Sequence, residues 1–590
     1  MIKKHFNLFI IAIAAAICFS MIACPNGENG GDPRPTGPEP MSAKTAMQYF
    51  IDEGITVGIN LGNTLDAFNW NTLVADEKEW MNGNTNQNTF NGLKDLEFNI
   101  IRIPASWMGH IGPAPDYIID EAHLRRVAEV VNYARNAGLK AVINIHHDGL
   151  ANSPVDEYGW LLIRKMLDNE SERNQISDKF EKVWTQIAEY LKNYGDFLMF
   201  QGFNELHDGS WDHGLDNPQK YTIINDLNQR FTNAVRSTGG NNSSRYLLYY
   251  GYNTSYQISG ISSAFILPTD TTTGRQIVGF HFYYPYDFSL DCTTHIWPNS
   301  SDNGSKEAID NVFGLFRSKF INNGIPVIIG ENGPFRYSDY HVNGSVNQYY
   351  NADNITTAKE NRLAYIDYFY TKARENGIVP FFWETGDNWM AQYSGGPDSG
   401  LINRNNGQPK NAESRTVIER MVSAVNNATP PTPPVIGEGT AAVFTSWFPD
   451  SDTAGSSITH TTPSGRQRIQ GTKTGAEGYA NITATPDTTT LTLMRTMTSF
   501  TFMVSGDGKQ YDVMIPTTES NVAYNHYRFA FTAPAAETKI TVNVPANLTQ
   551  ADWGGAGVVA FIQNNVQSFQ LQLTGSGTFD LTVWDIQLHE

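Results

Sequence analysis

The chain has very little cysteine. Three cysteines occur in 590 residues, at positions 18, 24 and 292, so no disulfide framework can staple the fold and no thiolate cluster can hold zinc. Positive charge is scarce as well. Lys and Arg number 41 against 60 Asp and Glu, a formal net charge of −19, which opposes nucleic acid and anionic lipid and suits a neutral partner. Long apolar runs are missing too. The run Leu8 to Phe19 falls short of the ~20 residues a membrane-spanning helix needs. Preceded by Lys3 and Lys4, it reads as an export signal over residues 1–23.

That signal ends in Met21-Ile22-Ala23-Cys24, which resembles the lipobox of bacterial lipoproteins except that Met stands where Leu is usual. Cys24 is therefore expected to carry a lipid anchor. Residues 24–40, rich in Gly and Pro, would be a flexible tether. The expected location is an exported bacterial protein, lipid-anchored at the cell surface or outer membrane, with a plain secretory signal as the alternative. The membrane is expected as a partner through that anchor alone, and a monomer is expected.

What the chain does have is alternation. Short apolar runs at 54–62, 99–104, 140–147, 197–205, 245–251, 276–284, 325–331 and 379–385 show little polar interleaving, as strands buried on both faces should. Helical spacing separates most of them, in Leu124, Val127, Val130, Val131 and Ala134, in Phe180, Val183, Ile187, Tyr190 and Leu191, and from Ala358 to Gly377. Eight strand-helix units predict an α/β fold, a closed (β/α)8 TIM barrel, over residues 41–427. Residues 428–439 form a Pro/Thr linker. Beyond it helical periodicity vanishes, and alternating runs such as SFTFMVSGDG, KITVNVP and TFDLTVWDIQL predict an antiparallel β-sandwich over 440–590.

Two strand ends carry glutamates, FQGFNE at Glu205 and VIIGE at Glu331. The C-terminal ends of barrel strands converge on one face, so these carboxyls should meet. A carboxyl that donates a proton, paired with an ionised one, is the minimal equipment for cleaving a glycosidic bond. Arg102 on the second strand could keep one of them ionised. His146, His147 and Asp148 end the third strand, His281 and Tyr283 the sixth, and Trp383 the eighth. His147 reads equally well as a core residue. His146, His147, Asp148, His281 and Glu331 are also metal-ligand types, but adjacent strand residues point in opposite directions. No catalytic metal and no other cofactor is expected.

The motifs GINLGNTLDA (58–67), IRIPASW (101–107), INIHHD (143–148), GFNE (202–205), GGNNSSRYLLYYGYNT (239–254), GFHFYYP (279–285) and IIGENG (328–333) together resemble glycoside hydrolase family 5, most of all its endo-β-1,4-glucanase branch, subfamily 4. The resemblance implies that Glu205 is the general acid/base and Glu331 the nucleophile of a retaining enzyme. It further implies that Asn204 holds the sugar 2-hydroxyl and that Arg102 and Tyr283 hydrogen-bond the nucleophile. His146 and His281 would surround the substrate and the acid/base, Trp383 would lie beneath the sugar, and Asn60 and His147 join as supporting residues. Ile59 departs from the family's usual aromatic. The expected partner is a plant-type β-glucan: cellulose, mixed-linkage glucan or xyloglucan. The alternatives are a β-mannanase on the same barrel and a non-catalytic glycan-binding lipoprotein.

Aromatic residues should extend the site, and about half of Trp80, Trp107, Trp160, Trp211, Trp297 and Trp389 are expected to touch sugar. The C-terminal region resembles sandwich modules of carbohydrate-binding family 11 and the complex-I-intermediate-associated fold. Tyr511, Tyr524, Tyr527 or Trp553 could stack on glucan there.

Overall fold

A computed structural model describes residues 32–81, 84–257, 264–298, 304–336, 352–386, 399–431, 440–452, 454–475, 478–522, 524–550 and 559–589. Cys24, Trp389 and Trp553 lie outside the described residues, as do the signal and most of the linker.

The barrel strands are β1 (Gly58–Asn60), β2 (Ile100–Ile103), β3 (Lys140–Ile143), β6 (Leu198–Gln201), β7 (Leu247–Tyr250), β8 (Gln276–Phe282), β9 (Val327–Asn332) and β10 (Ile378–Phe382). They close in the order β1-β10-β9-β8-β7-β6-β3-β2, every pairing parallel. All eight expected strands are present, each shorter than its apolar run. Seven of the runs continue past the ladder, 325–331 being the exception, because residues at the barrel mouth stay buried after pairing has stopped.

Helices cover the strands where the sequence carries both a stripe and its stops. In the helix Glu121–Ala137, Asp120 accepts from the Ala122 amide as N-cap and Gly138 ends the helix at φ 70°. Its Leu124, Val127, Val130, Val131 and Ala134 are buried against the barrel. The helix Glu170–Leu191 starts at Asn169, whose side chain accepts from the amides of Ser171 and Glu172. An antiparallel hairpin after β3, formed by β4 (Gly149–Ser153) and β5 (Asp156–Gly159), was not expected from the sequence.

The sandwich is present as two antiparallel sheets. One runs β13 (Ser457–Thr461), β14 (Gln467–Lys473), β21 (Gly577–His589), β16 (Ser499–Gly506) and β19 (Thr538–Asn543), with β11 (Thr440–Ala441) also on β21. The other runs β12 (Phe444–Ser451), β15 (Ala480–Pro486), β20 (Phe569–Leu573), β17 (Gln510–Ile515) and β18 (Tyr527–Thr532). The barrel and the sandwich each bury their own hydrophobic cluster. Tyr511 belongs to the second cluster and is 2% exposed, so the expectation that it stacks on glucan is corrected. Tyr527 ties its hydroxyl to the Val559 carbonyl at 2.6 Å, whereas Tyr524 is 81% exposed. Pro430 and Pro431, at the start of the linker, line a small apolar cavity with Met47, Phe50, Ile321 and Val379.

Candidate active site

At the C-terminal end of the barrel lies a cleft of about 570 Å³ lined by His146, His147, Asn204, Glu205, Trp211, His281, Tyr283, Glu331 and Trp383, among others. The size suits a ligand of several rings. Its floor is set by a fault in the ladder. Between Ile329 and Glu331 the strand β9 carries one residue more than its neighbours, since Phe280 and His281 pair with Ile329 and Glu331, and Pro380 and Phe382 with Ile329 and Asn332. Such a bulge turns the following side chain and leaves a carbonyl short of a ladder partner. Asn60 supplies that partner, its Nδ2 donating to the carbonyls of Gly330 (2.9 Å) and Phe382 (3.1 Å).

Arg102 organises the floor. Fully buried, its guanidinium donates to Gln201 Oε1 (2.8 Å), Asn60 Oδ1 (2.9 Å), Glu331 Oε1 (2.8 Å) and Asn204 Oδ1 (2.6 Å). Four bonds in one plane fix four side chains from the ends of three strands, β1, β6 and β9. The Tyr283 hydroxyl donates to the other oxygen of Glu331 at 3.1 Å. Asn204 therefore keeps its amide nitrogen for a ligand, because its oxygen is taken by Arg102.

Glu205 is held differently. Its Oε1 sits 2.6 Å from His281 Nδ1 and 3.5 Å from the Thr254 hydroxyl. His281 Nδ1 also lies 3.6 Å from Glu331 Oε2, and one oxygen of each carboxyl comes within 4.8 Å of the other. Burial pushes the pKa of both carboxyls up, with His207 and Arg102 partly offsetting it at Glu205, and His281 offsetting it at Glu331 while the neighbouring Glu205 adds to it. The partners separate the two. Glu331 faces a buried guanidinium and a phenol, both donors, a setting that favours its ionised form. Glu205 faces an imidazole whose pKa burial pushes down to about 3, so the contact is a neutral hydrogen bond rather than an ion pair, a setting that favours the protonated carboxyl.

His146 stacks on Trp383 with planes 4° apart and centroids 5.6 Å apart. Its Nδ1 accepts from Asn144 Nδ2 at 3.0 Å, and the orientation of that amide is fixed because Asn144 Oδ1 accepts from the Ala105 amide. The ring proton is thus on Nε2, a donor. His147 does converge with His146, centroids 4.4 Å apart, and ligand atoms of both approach Asp66 within 4.8 Å. The expectation that the two histidines point apart is corrected, since β3 ends at Ile143 and strand alternation does not extend to them. Chemistry still argues against an ion there. Neither His146 nitrogen is free for a metal, because the lone pair of Nδ1 is taken by the Asn144 amide and Nε2 carries the proton.

Of the tryptophans, Trp211 lines the cleft and is 48% exposed, while Trp107 and Trp297 are buried core. Trp80 stacks with Trp70 at 5.7 Å and packs on His147 at 5.4 Å, and Trp160 donates to Asp148 Oδ1 at 2.7 Å. The Trp211 loop is pinned by buried Lys220, whose ammonium meets Asp208, Asp212 and Asp216 at 3.0, 2.8 and 3.0 Å. Sequence reasoning gave no role to Gln201, Tyr250 or Thr254, although the last two lie within the motif at 239–254. A third strand-end glutamate, Glu384, is structural. It accepts from the amides of Gly386, Leu401 and Ile402 and pairs with Arg404 at 2.6 Å.

A parallel eight-stranded barrel with two unlike carboxyls at its mouth is the architecture of a glycosidase. The family model described as Cellulase (glycosyl hydrolase family 5) matches residues 59–389, and the chain belongs to that family. It is 33% identical over 365 residues to endoglucanase A of Paenibacillus barcinonensis, covering 59% of this chain and 84% of that one. It is 30% identical over 388 residues to a xyloglucan-specific endo-β-1,4-glucanase of Bacteroides ovatus, 63% of this chain and 70% of that one. Among solved structures, a subfamily 4 broad-specificity endoglucanase from Bacteroides salanitronis superimposes with TM-score 0.56 at 36% identity, covering 65% of this chain and 96% of that one.

Proposed function

We propose that this protein is a retaining endo-acting β-1,4-glucanase in which Glu205 is the general acid/base and Glu331 the nucleophile. The observation that supports this most is the spacing of the carboxyls, with oxygens within 4.8 Å. Retaining enzymes hold their carboxyls ~5–5.5 Å apart, and inverting ones leave ~6.5–9.5 Å for a water. Glu331, ionised beside Arg102 and Tyr283, attacks the anomeric carbon while Glu205 protonates the departing oxygen. Glu205 then takes a proton from the water that releases the glycosyl-enzyme. Asn204 and His146 present N–H donors to sugar hydroxyls, and Trp383 offers its face to the ring at the cleavage point.

The substrate reading is a β-1,4-linked glucan, supported by relatives named as endoglucanases, xyloglucanases and a broad-specificity enzyme. Residues 440–590 are read as a carbohydrate-binding unit, and Cys24 as the lipid attachment of an exported monomer. The deciding experiment pairs two variants with two substrates. Glu331→Gln should nearly abolish turnover on both. Glu205→Ala should cost roughly 10²- to 10⁴-fold on polysaccharide, where the leaving group is basic, and far less on aryl glycosides with good leaving groups. Equal losses for Glu205→Ala on the two substrates would reverse the assignment, as would proton NMR showing an inverted product anomer.

A further inference from the structure

Tyr250 ends β7 and lies fully buried close enough to both carboxyls to feel their charge, yet none of the roles above uses it. Its ring meets His281 edge-on, centroids 5.2 Å and planes 82° apart. The room it fills exists because two neighbours have no side chain. A methyl group on Gly279 would lie 2.0 Å from the ring, and one on Gly330 1.8 Å from the hydroxyl oxygen. That same methyl would be 3.1 Å from His281 Nε2, so hydroxyl and ring nitrogen stand within about 5 Å of each other. Among the described residues neither atom has a hydrogen-bond partner. A buried hydroxyl and a buried imidazole nitrogen left unpaired side by side are costly, and each can satisfy the other.

We propose that Tyr250 is a positioning residue whose hydroxyl donates to His281 Nε2 through one bridging water, and so fixes the tautomer that presents Nδ1–H to Glu205. The proposal rests on the reading of Glu205 as acid/base and concerns which of its oxygens holds the proton. With Nδ1 protonated, His281 donates to Glu205 Oε1, and the carboxylic proton sits on Oε2. From there it passes to the glycosidic oxygen as the bond to the anomeric carbon breaks and Glu331 bonds to that carbon. With Nδ1 bare, Oε1–H would donate to the imidazole, and the proton would be held away from the leaving group. Glycine at 330 and 279 is then part of the same device, since any larger residue would displace the phenol.

The test keeps the surrounding charges constant. Glu205 is faced by His281 from β8, Arg102 from β2, His147 after β3, His207 on its own loop and Thr254 after β7. Glu331 from β9 and Tyr283 after β8 complete the set around His281. Tyr250→Phe alters none of them and removes one oxygen. In the full-length protein labelled with ¹⁵N-histidine, NMR should show His281 protonated at Nδ1 in the wild type and at Nε2, or mixed, in Tyr250→Phe. In the variant, kcat on polysaccharide should fall about tenfold with KM unchanged, while aryl glycosides with good leaving groups stay within about twofold. The alkaline limb of the pH profile should move up, because protonated Glu205 gains an acceptor at Nδ1 that stabilises its acid form.

An Nε2–H tautomer in the wild type overturns the proposal without any variant. So does an unshifted alkaline limb with equal losses on both substrates, which is what loosened packing alone would give. Failure of the underlying acid/base reading would show elsewhere, as indifference of Glu205→Ala to the leaving group.

Discussion

Arg102 combines charge and geometry, and two substitutions separate them. Arg102→Met removes the cation beside Glu331. At an effective dielectric of about 20, unit charges ~4 Å apart interact by ~4 kcal/mol, and a neighbouring cation lowers a carboxyl by one to three units in practice. Glu331 must be ionised to attack, so activity is lost as pH falls through its pKa. Raising that pKa moves the acid limb of kcat/KM upward, by about one to three units. Arg102→Lys keeps a cation, so its acid limb should stay within about half a unit of the wild type. An ammonium cannot, however, span the four acceptors Gln201, Asn60, Glu331 and Asn204. Leaving two of them unpaired costs roughly 1–3 kcal/mol each, and misplacing Asn204 and Glu331 should lower kcat/KM about 10²- to 10³-fold. Steady-state profiles on a soluble glucan, with thermal unfolding as a check on folding, measure both quantities. An acid limb that does not move in Arg102→Met, or moves equally in Arg102→Lys, would refute the claim that the guanidinium charge keeps Glu331 ionised.

Other outcomes follow from the same geometry. A chain of residues 41–431, which keeps Pro430 and Pro431 in their cavity, should hydrolyse soluble glucan with unchanged kcat, and loss of that activity would mean that the sandwich completes the barrel. Ending at 427 should leave activity intact but lower the melting temperature, because apolar contacts at the barrel base are lost. Trp211→Ala should raise KM for long chains about tenfold and leave short aryl glycosides little changed, and an equal effect on both would place the indole outside the chain's path. Cys24→Ser should shift the full-length protein from the detergent phase to water in phase partitioning, and a protein that is aqueous in both forms has no lipid.

The site was legible because a parallel barrel sends every strand end to one place, so Glu205 and Glu331 could be paired without knowing a single contact. The wiring beneath them was not. Gln201 and Tyr250 are common residues whose importance lies in what a β-bulge at Gly330 brings beside them, and a bulge leaves no trace in an apolar run. The hairpin at 149–159 was hidden for another reason: GLANSPVDEYG lacks alternation and reads as a loop with a turn at Ser153-Pro154. Tyr511 was legible in principle. The two-residue period of its strand sets it in phase with Val513 and Ile515, which face the core, so its aromatic character was the wrong cue.

Glu384 has a consequence for how such an enzyme can change. The chain departs after Gly386 and comes back at Leu401, and the amides on both sides of the excursion are gathered by one carboxylate. Its ends stay together whatever lies between them. For a flexible loop, doubling the length costs only about 0.6 kcal/mol in closure entropy, and here the closure is supplied by a group that takes no part in the chemistry. Gly386 and Leu401 are therefore held together by Glu384, one residue from Trp383, and that anchoring is independent of the catalytic pair.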